Sequence, residues 1–312
     1  MKKVRILFDT DMGADCDDAA ALAIALELMD AGECELLAVT HCTMCESAAG
    51  CIEAILKDYG HAEIPIGSFH PGDGLETKEW RDVYATEVAM AYDTLFRHGG
   101  HYEDSVRLMR RVLAAADTKI TVVSTGPLTS LARLLQSKAD EFSPLNGVEL
   151  VREKVEAAYC MAGTFPQQWP ESKGQVEWNI LCDVPSMKLV SEQWPTEMIF
   201  SSFEIGLPMI TCKKLQTEGR INNPVRTCFE VWHRQDGKVG RSSWDPATML
   251  CAIRPEADDW KLSERGWVSV DEKGLTELVT DVNGRHRYMI ENRPIQEVED
   301  IMEEILNRDF RA

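Results

Sequence analysis

Asp9-Thr10-Asp11-Met12-Gly13-Ala14-Asp15-Cys16-Asp17-Asp18 follows an apolar run at residues 4–8 and precedes Ala19-Ala20-Ala21-Leu22-Ala23-Ile24-Ala25-Leu26. Five carboxylates fall within ten residues, between a strand-like run and a helix-like one. Carboxylates so close repel one another unless protons or cations compensate them. In open α/β sheets, ligands bind beyond the carboxyl ends of the strands, which is where this loop would lie. Gly13 lets the backbone turn sharply. Asp17 and Asp18 would open the helix, whose dipole favours negative charge there. One Asp suffices to cap a helix, so five exceed that need and point to a divalent cation. All-oxygen donors favour Ca²⁺ or Mg²⁺ over zinc. An EF-hand is excluded, because the sixth position counted from Asp9 is Ala14, where that loop needs Gly.

Outward from this stretch, strand-like and helix-like segments alternate. Strands are expected at residues 35–40, 64–67, 120–124, 157–163 and 198–203, with helices at 19–29, 47–59, 79–96, 103–116, 127–136, 185–193, 224–234 and 246–253. The alternation predicts an α/β fold, an open and mostly parallel sheet with helices on both faces. After residue 260 the pattern changes. Residues 266–270 and 275–279 flank Asp271-Glu272-Lys273-Gly274, which is hairpin chemistry, and residues 287–290 form a third short strand. An amphipathic helix spans 295–306. The expectation is one domain over 1–312, with 262–312 as an accessory C-terminal β-meander plus helix packed against the sheet.

Composition narrows the function. The 33 Lys and Arg face 52 Asp and Glu, a net charge of −19, which repels phosphate backbones and anionic lipid. Nucleic acid and membrane are therefore not expected partners. No run of 18 apolar residues exists to span a bilayer. The apolar run behind Met1-Lys2-Lys3 is too short for a signal peptide, so a cytosolic protein is expected. The ten cysteines then read as reduced and mostly buried. Cys42-x-x-Cys45 with Cys51 and His41 lacks the second ligand pair of a structural zinc site.

Two families open on an acidic motif of this kind. Asp9-Thr10-Asp11-Met12 is similar to the start of haloacid dehalogenase-type phosphatases, but Gly13 replaces their Thr or Val, and no downstream lysine with an acidic pair is evident. The decade more closely resembles the DTDxGxDD signature of the inosine-uridine preferring nucleoside hydrolase family, with two residues inserted before the final pair. Four further blocks follow in family order. Ser124-Thr125-Gly126-Pro127-Leu128-Thr129-Ser130-Leu131-Ala132 resembles TGPLTNLA. Cys160-Met161-Ala162-Gly163 resembles an MGG strand end, Glu177-Trp178-Asn179-Ile180-Leu181-Cys182-Asp183-Val184-Pro185 resembles EFNxxxDP, and Trp244-Asp245-Pro246 resembles HDP.

The resemblance implies Ca²⁺-dependent hydrolysis of the N-glycosidic bond of a ribonucleoside, by a homo-oligomer of two or four copies. Asp11 and Asp18 would be carboxylate ligands, with the Thr125 carbonyl and the Asp245 carboxylate. Asp17 aligns with the base that takes a proton from the attacking water. Asp15, Met161, Glu177, Asn179 and Trp244 would line the substrate side. The insertion leaves the choice among Asp15, Asp17 and Asp18 open, and the alignment is anchored on Asp17-Asp18 before the Ala-rich helix. Two departures stand out. The Asn expected after the second strand is missing from Thr40-His41-Cys42-Thr43, and Trp244 replaces a His proposed as leaving-group acid. Tryptophan stacks on a base but cannot protonate it. His70, His98, His101 and His233 are the remaining candidates for that acid. The alternatives are a ribosyl-ligand or calcium-binding relative without turnover, and a Mg²⁺-dependent phosphohydrolase using Asp9 as nucleophile.

Overall fold

The computed structural model describes residues 3–69, 82–165 and 170–308. The first seven strands are β1 (Val4–Thr10), β2 (Cys34–His41), β3 (Ile66–Ser68), β4 (Glu103–Asp104), β5 (Ile120–Ser124), β6 (Val155–Met161) and β7 (Glu197–Ser201). A two-stranded ribbon, β8 (Ile210–Thr211) with β9 (Arg241–Ser242), stands apart from the main sheet. The last strands are β10 (Trp260–Leu262), β11 (Gly266–Val270), β12 (Thr276–Thr280) and β13 (His286–Glu291). The main sheet has the order β12-β11-β13-β7-β6-β5-β1-β2-β3-β4, with β10 also paired to β13. Within the main sheet, pairing from β13 through β7, β6, β5, β1, β2 and β3 to β4 is parallel, and the C-terminal strands β10 to β13 pair antiparallel with one another.

The helices that matter to the site are α1 (Asp17–Asp30), α2 (Ala48–Asp58), α3 (Ala85–Ala91), α4 (Ser105–Ala115), α5 (Thr129–Gln136), α6 (Gly147–Lys154), α7 (Trp178–Cys182), α8 (Val184–Gln193), α9 (Phe203–Gly206), α10 (Lys213–Glu218), α11 (Pro224–Trp232), α12 (Trp244–Ile253) and α13 (Ile295–Leu306). Side chains of a strand alternate between faces. Ile6 and Phe8 of β1 join a core with α1, α2, α11, α12 and α13, whereas Leu7 joins the opposite core with α4, α5, α6 and α8. Burial of both faces explains why β1, β5 and β6 read as continuous apolar runs rather than alternating ones. Helix α1 is buried from Asp17 through Leu28, because α12 and α13 cover the side that the sheet leaves free. Its Ala-rich composition suits such close packing, and a helix apolar all round is a buried helix.

Two expectations are corrected. The helix expected over 79–96 is shorter: residues 79–81 lie outside the described residues, and the helix ends at Ala91 because Tyr92 turns extended, with φ −106° and ψ 165°. Tertiary contacts override propensity here, since the Tyr92 hydroxyl donates to the Asn222 carbonyl at 2.8 Å and Glu53 accepts the Leu95 N–H at 2.6 Å. The C-terminal meander does not lie against the sheet. Its strand β13 pairs in parallel with β7, His286 opposite Met198, and so continues the sheet past what would have been an exposed edge.

Leu22 in α1 is fully buried, while Ile221 is 79% exposed. Leu22→Ala is expected to lower the unfolding free energy by about 2–5 kcal/mol. Ile221→Ala is expected to change it by less than about 0.5 kcal/mol, both read from urea denaturation.

Candidate functional site

The chain runs from β1 out to β2, β3 and β4 on one side, and from β5 to β6 and β7 on the other. The carboxyl ends of β1 and β5 therefore flank a topological switch point, where adjacent connections diverge and leave a crevice. A cavity of about 920 Å³ lies there. Asp11, Asp15, Asp17, Asp18, Thr125, Met161, Glu177, Asn179, Trp244 and Asp245 all line it. Phe203, Trp232, Arg241 and Trp178 line it too, and the sequence reading did not single these out.

Asp11 follows β1, Asp18 lies in the first turn of α1, and Asp245 in the first turn of α12. Each offers a carboxylate oxygen within 4.8 Å of the others, and all three side chains are buried. Burial first, and then mutual repulsion, holds Asp11 and Asp245 well above the ordinary carboxylate range. Burial lifts Asp18 to about 6 against hydrogen bonds that favour its anion. The Thr10 hydroxyl supplies one of these, and the Thr125 hydroxyl is 3.3 Å from the same Asp18 oxygen. Three crowded carboxylates with few protein donors form an oxygen set that a hard divalent cation fits. The Thr125 carbonyl accepts the Asn179 side-chain amide at 3.0 Å and keeps a second lone pair for such an ion.

The other acidic groups have different surroundings. Asp15 is gripped by Arg241 through Nε and Nη2 at 2.6–3.1 Å, so its charge is already matched and it is poorly suited to act as a base. Asp17 Oδ2 accepts the backbone N–H groups of Trp244 and Asp245 at 3.1 and 3.2 Å, which ties the start of α12 to α1. Burial and the neighbouring aspartates still raise the Asp17 pKa well above the usual range. Glu177 caps α7, with Oε1 accepting the Asn179 N–H at 2.7 Å and Oε2 the Ile180 N–H at 3.2 Å. Burial raises it to about 7. Asn179 also donates to the Met161 carbonyl at 3.1 Å, bridging the ends of β5 and β6.

Asp9 is fully buried, does not line the cavity, and accepts the Thr40 hydroxyl at 2.6 Å. That position leaves it unable to attack a substrate phosphate. Of the histidines considered as acids, His70 lies outside the described residues. His98 pairs with Asp93 at the surface, and His233 is held by Asp236 and the Gly240 carbonyl, both at 2.9 Å. Neither these two nor His101 lines the cavity. No cysteine or histidine joins a metal-holding cluster among the described residues. Among those residues, too, no helix is long and apolar enough to cross a membrane.

The remaining wall is aromatic. Phe203 and Trp244 stack with centroids 5.7 Å apart, and the Trp244 indole donates to the Phe203 carbonyl at 2.8 Å. Trp178 stands 62% exposed at the rim. Tyr84 braces the inserted loop: its hydroxyl donates to the Asp15 carbonyl at 2.6 Å and accepts the Gly13 N–H at 2.9 Å. Gly13 adopts φ +121°, a backbone conformation that side chains rarely tolerate.

The family model described as inosine-uridine preferring nucleoside hydrolase matches residues 6–302. The pyrimidine-specific ribonucleoside hydrolase RihA of Photobacterium profundum is 26% identical over 212 residues, covering 61% of this chain and 59% of the relative. RihA of Escherichia coli (strain SMS-3-5 / SECEC) is 26% identical over 201 residues, with the same coverage. The chain thus matches about 59% of the length of these curated relatives. Among solved structures, an inosine-uridine preferring nucleoside hydrolase from Bacillus anthracis aligns with a TM-score of 0.70 at 19% identity, over 97% of this chain and 99% of that one. An inosine-guanosine nucleoside hydrolase gives 0.72 at 18% identity, over 97% of each. At such identities the structural likeness speaks for the fold.

The carboxylate cluster makes stability depend on pH and on cations. Asp18 binds protons more tightly folded than unfolded, so its contribution is complete below about pH 4 and is lost as pH rises through about 6. Without a divalent cation the melting temperature should fall between about pH 5 and pH 7.5, and added Ca²⁺ should raise it more at the higher pH. Scanning fluorimetry with Ca²⁺ or EDTA reads this. Equal gains at both pH values would count against a cation on these carboxylates.

Proposed function

The chain belongs to the inosine-uridine preferring nucleoside hydrolase family, and from that premise we propose that it hydrolyses the N-glycosidic bond of a ribonucleoside or a related N-ribosyl compound, releasing base and ribose. The observation that carries this reading is the meeting of Asp11 and Asp18, from the β1–α1 connection, with Asp245, from the distant start of α12, in a cavity with an aromatic wall. Ca²⁺ is the ion proposed, held by these three carboxylates and the Thr125 carbonyl. When bound, it supplies a seat for sugar hydroxyls and lowers the pKa of the attacking water.

The chain's own groups then divide the work. Asp17 lies outside the cation set, and Oδ1, the oxygen not used in capping α12, accepts the proton of the attacking water. The crowded carboxylates stabilise the positive charge that develops on the sugar in an oxocarbenium-like transition state. Asn179 Oδ1 and the Glu177 carboxylate accept hydrogen bonds from ribose hydroxyls, and Met161 packs beside them. Asp15 borders the same space from the loop above. Trp244 and Phe203 offer a flat apolar face on which the base stacks. A cytosolic homo-oligomer of two or four copies, acting in nucleoside salvage, completes this reading on the family resemblance.

One observation favours a second assignment of the base. The two amide donors on Asp17 stabilise its anion and so weaken it as a proton acceptor, whereas Asp11 is crowded chiefly by other carboxylates. Ribose release from a panel of purine and pyrimidine nucleosides, abolished by EDTA and restored by Ca²⁺, tests the activity. Silence across the panel with ribose still bound would leave a ribosyl-binding protein instead. Asp17→Asn should lower kcat by about 10²–10⁴-fold while ribose binding persists. If Asp17→Asn keeps turnover within about tenfold and Asp11→Asn loses it at saturating Ca²⁺, the base is Asp11.

A further inference from the structure

Departure of a base from ribose leaves an electron pair on a ring nitrogen, and an acid usually meets it. Among the described residues no histidine lines the cavity, and Trp244 cannot give up a proton. Among the described residues the cavity does hold one cationic side chain, Arg241. This residue ends the loop before α12, in β9, three positions ahead of Trp244. Its guanidinium carbon lies 5.1 Å from the Trp244 ring centroid and 5.3 Å from that of Trp232. Arg241 therefore sits on the aromatic side of the cavity, where a base would stack, rather than among the floor carboxylates. Asp15 takes Nε and Nη2 in a two-pronged bond, which fixes the plane of the fork and leaves the two N–H donors of Nη1 without an acceptor among the described residues. An arginine stays charged through any physiological pH, so it cannot act as an acid, but it can hold an anion.

We propose that Arg241, oriented by Asp15, holds the leaving base as its anion through Nη1 and thereby selects oxo-substituted bases over amino-substituted ones. The inference rests on the N-ribosyl hydrolase reading above. The step balances without an acid. The C1′–N bond breaks with its electron pair going to the base, the water oxygen bonds to C1′, and the water proton passes to the carboxylate base. The base anion then takes a proton from solvent as the carboxylate returns one. A ring bearing carbonyl oxygens spreads the negative charge onto acceptors that the guanidinium can meet. A ring presenting an exocyclic amino group faces donors with donors, and leaves buried N–H groups unpaired on both sides. Asp15 is a positioning residue in this scheme, and the inserted pair Asp15-Cys16 is what carries its carboxylate to Arg241.

The experiment compares uridine, inosine, adenosine and p-nitrophenyl β-riboside, whose leaving group needs no help, as substrates of the wild type, Arg241→Gln and Arg241→Lys with saturating Ca²⁺. The wild type should favour inosine and uridine over adenosine. Arg241→Gln should lower kcat/KM for these two by about 10²–10³-fold, the size expected for loss of a preorganised donor at developing charge. The loss on p-nitrophenyl β-riboside should stay under about tenfold, which also reports an intact site, and Arg241→Lys should recover part of the loss. Equal losses on all substrates, loss of p-nitrophenyl ribosidase activity in both variants, or a wild type that prefers adenosine would overturn the inference. A wild type that hydrolyses none of the four would instead sink the N-ribosyl hydrolase reading on which it rests.

Discussion

Three buried carboxylates cannot share one small volume unless their charge is compensated, and the rest of this structure is arranged around that constraint. Asp11 and Asp18 come from the two ends of the loop joining β1 to α1, and Asp245 from a helix start far along the chain. Apolar packing of α1 against β1 and α12 holds them together and supplies the burial that raises their proton affinity. Asp17 fastens the two helix starts to each other by accepting both amide bonds at the beginning of α12. Packing energy spread over a large core thus maintains a local repulsion, which protons relieve at low pH and a bound divalent cation would relieve at neutral pH.

Much of this was legible in the residues. The apolar run at 4–8, the acidic decade and the Ala-rich stretch together specify strand, loop and buried helix, and the alternation that follows specifies a parallel sheet. Packing decided what local pattern could not. Tyr92 leaves the helix because partners distant in sequence claim its hydroxyl and its neighbours' amides. Strand β13 joins β7 because a parallel edge needs a partner, and no local signal marks that pairing. Helix α6 (Gly147–Lys154) carries a full capping box between Asn146 and Glu149, a signal the sequence does contain and that was passed over.

The site divides in the same way. The density of carboxylates between residues 9 and 18 points to a cation without saying which of them hold it, and Asp11, Asp18, Thr125 and Asp245 were singled out by the family resemblance, since Thr125 and Asp245 read locally as a strand end and a helix cap. The grip of Arg241 on Asp15, 226 positions apart in sequence, is invisible without coordinates. It links two departures from the family pattern, the inserted Asp15-Cys16 pair and the tryptophan at position 244. The structure shows them as neighbours, both in contact with one guanidinium. Phe203 and Trp232 escaped notice for a similar reason, because an aromatic residue closing an expected strand, or lying within an expected helix, reads as core.

The most direct measurement of the central claim is a crystal soaked with Ca²⁺ and ribose, with diffraction data collected for the anomalous signal of the ion. The account predicts one peak bounded by carboxylate oxygens of Asp11, Asp18 and Asp245 and the Thr125 carbonyl, with sugar hydroxyls completing the roughly 6–8 oxygens such an ion prefers. Ribose bound with no ion among those carboxylates, or an ion held elsewhere, would contradict it.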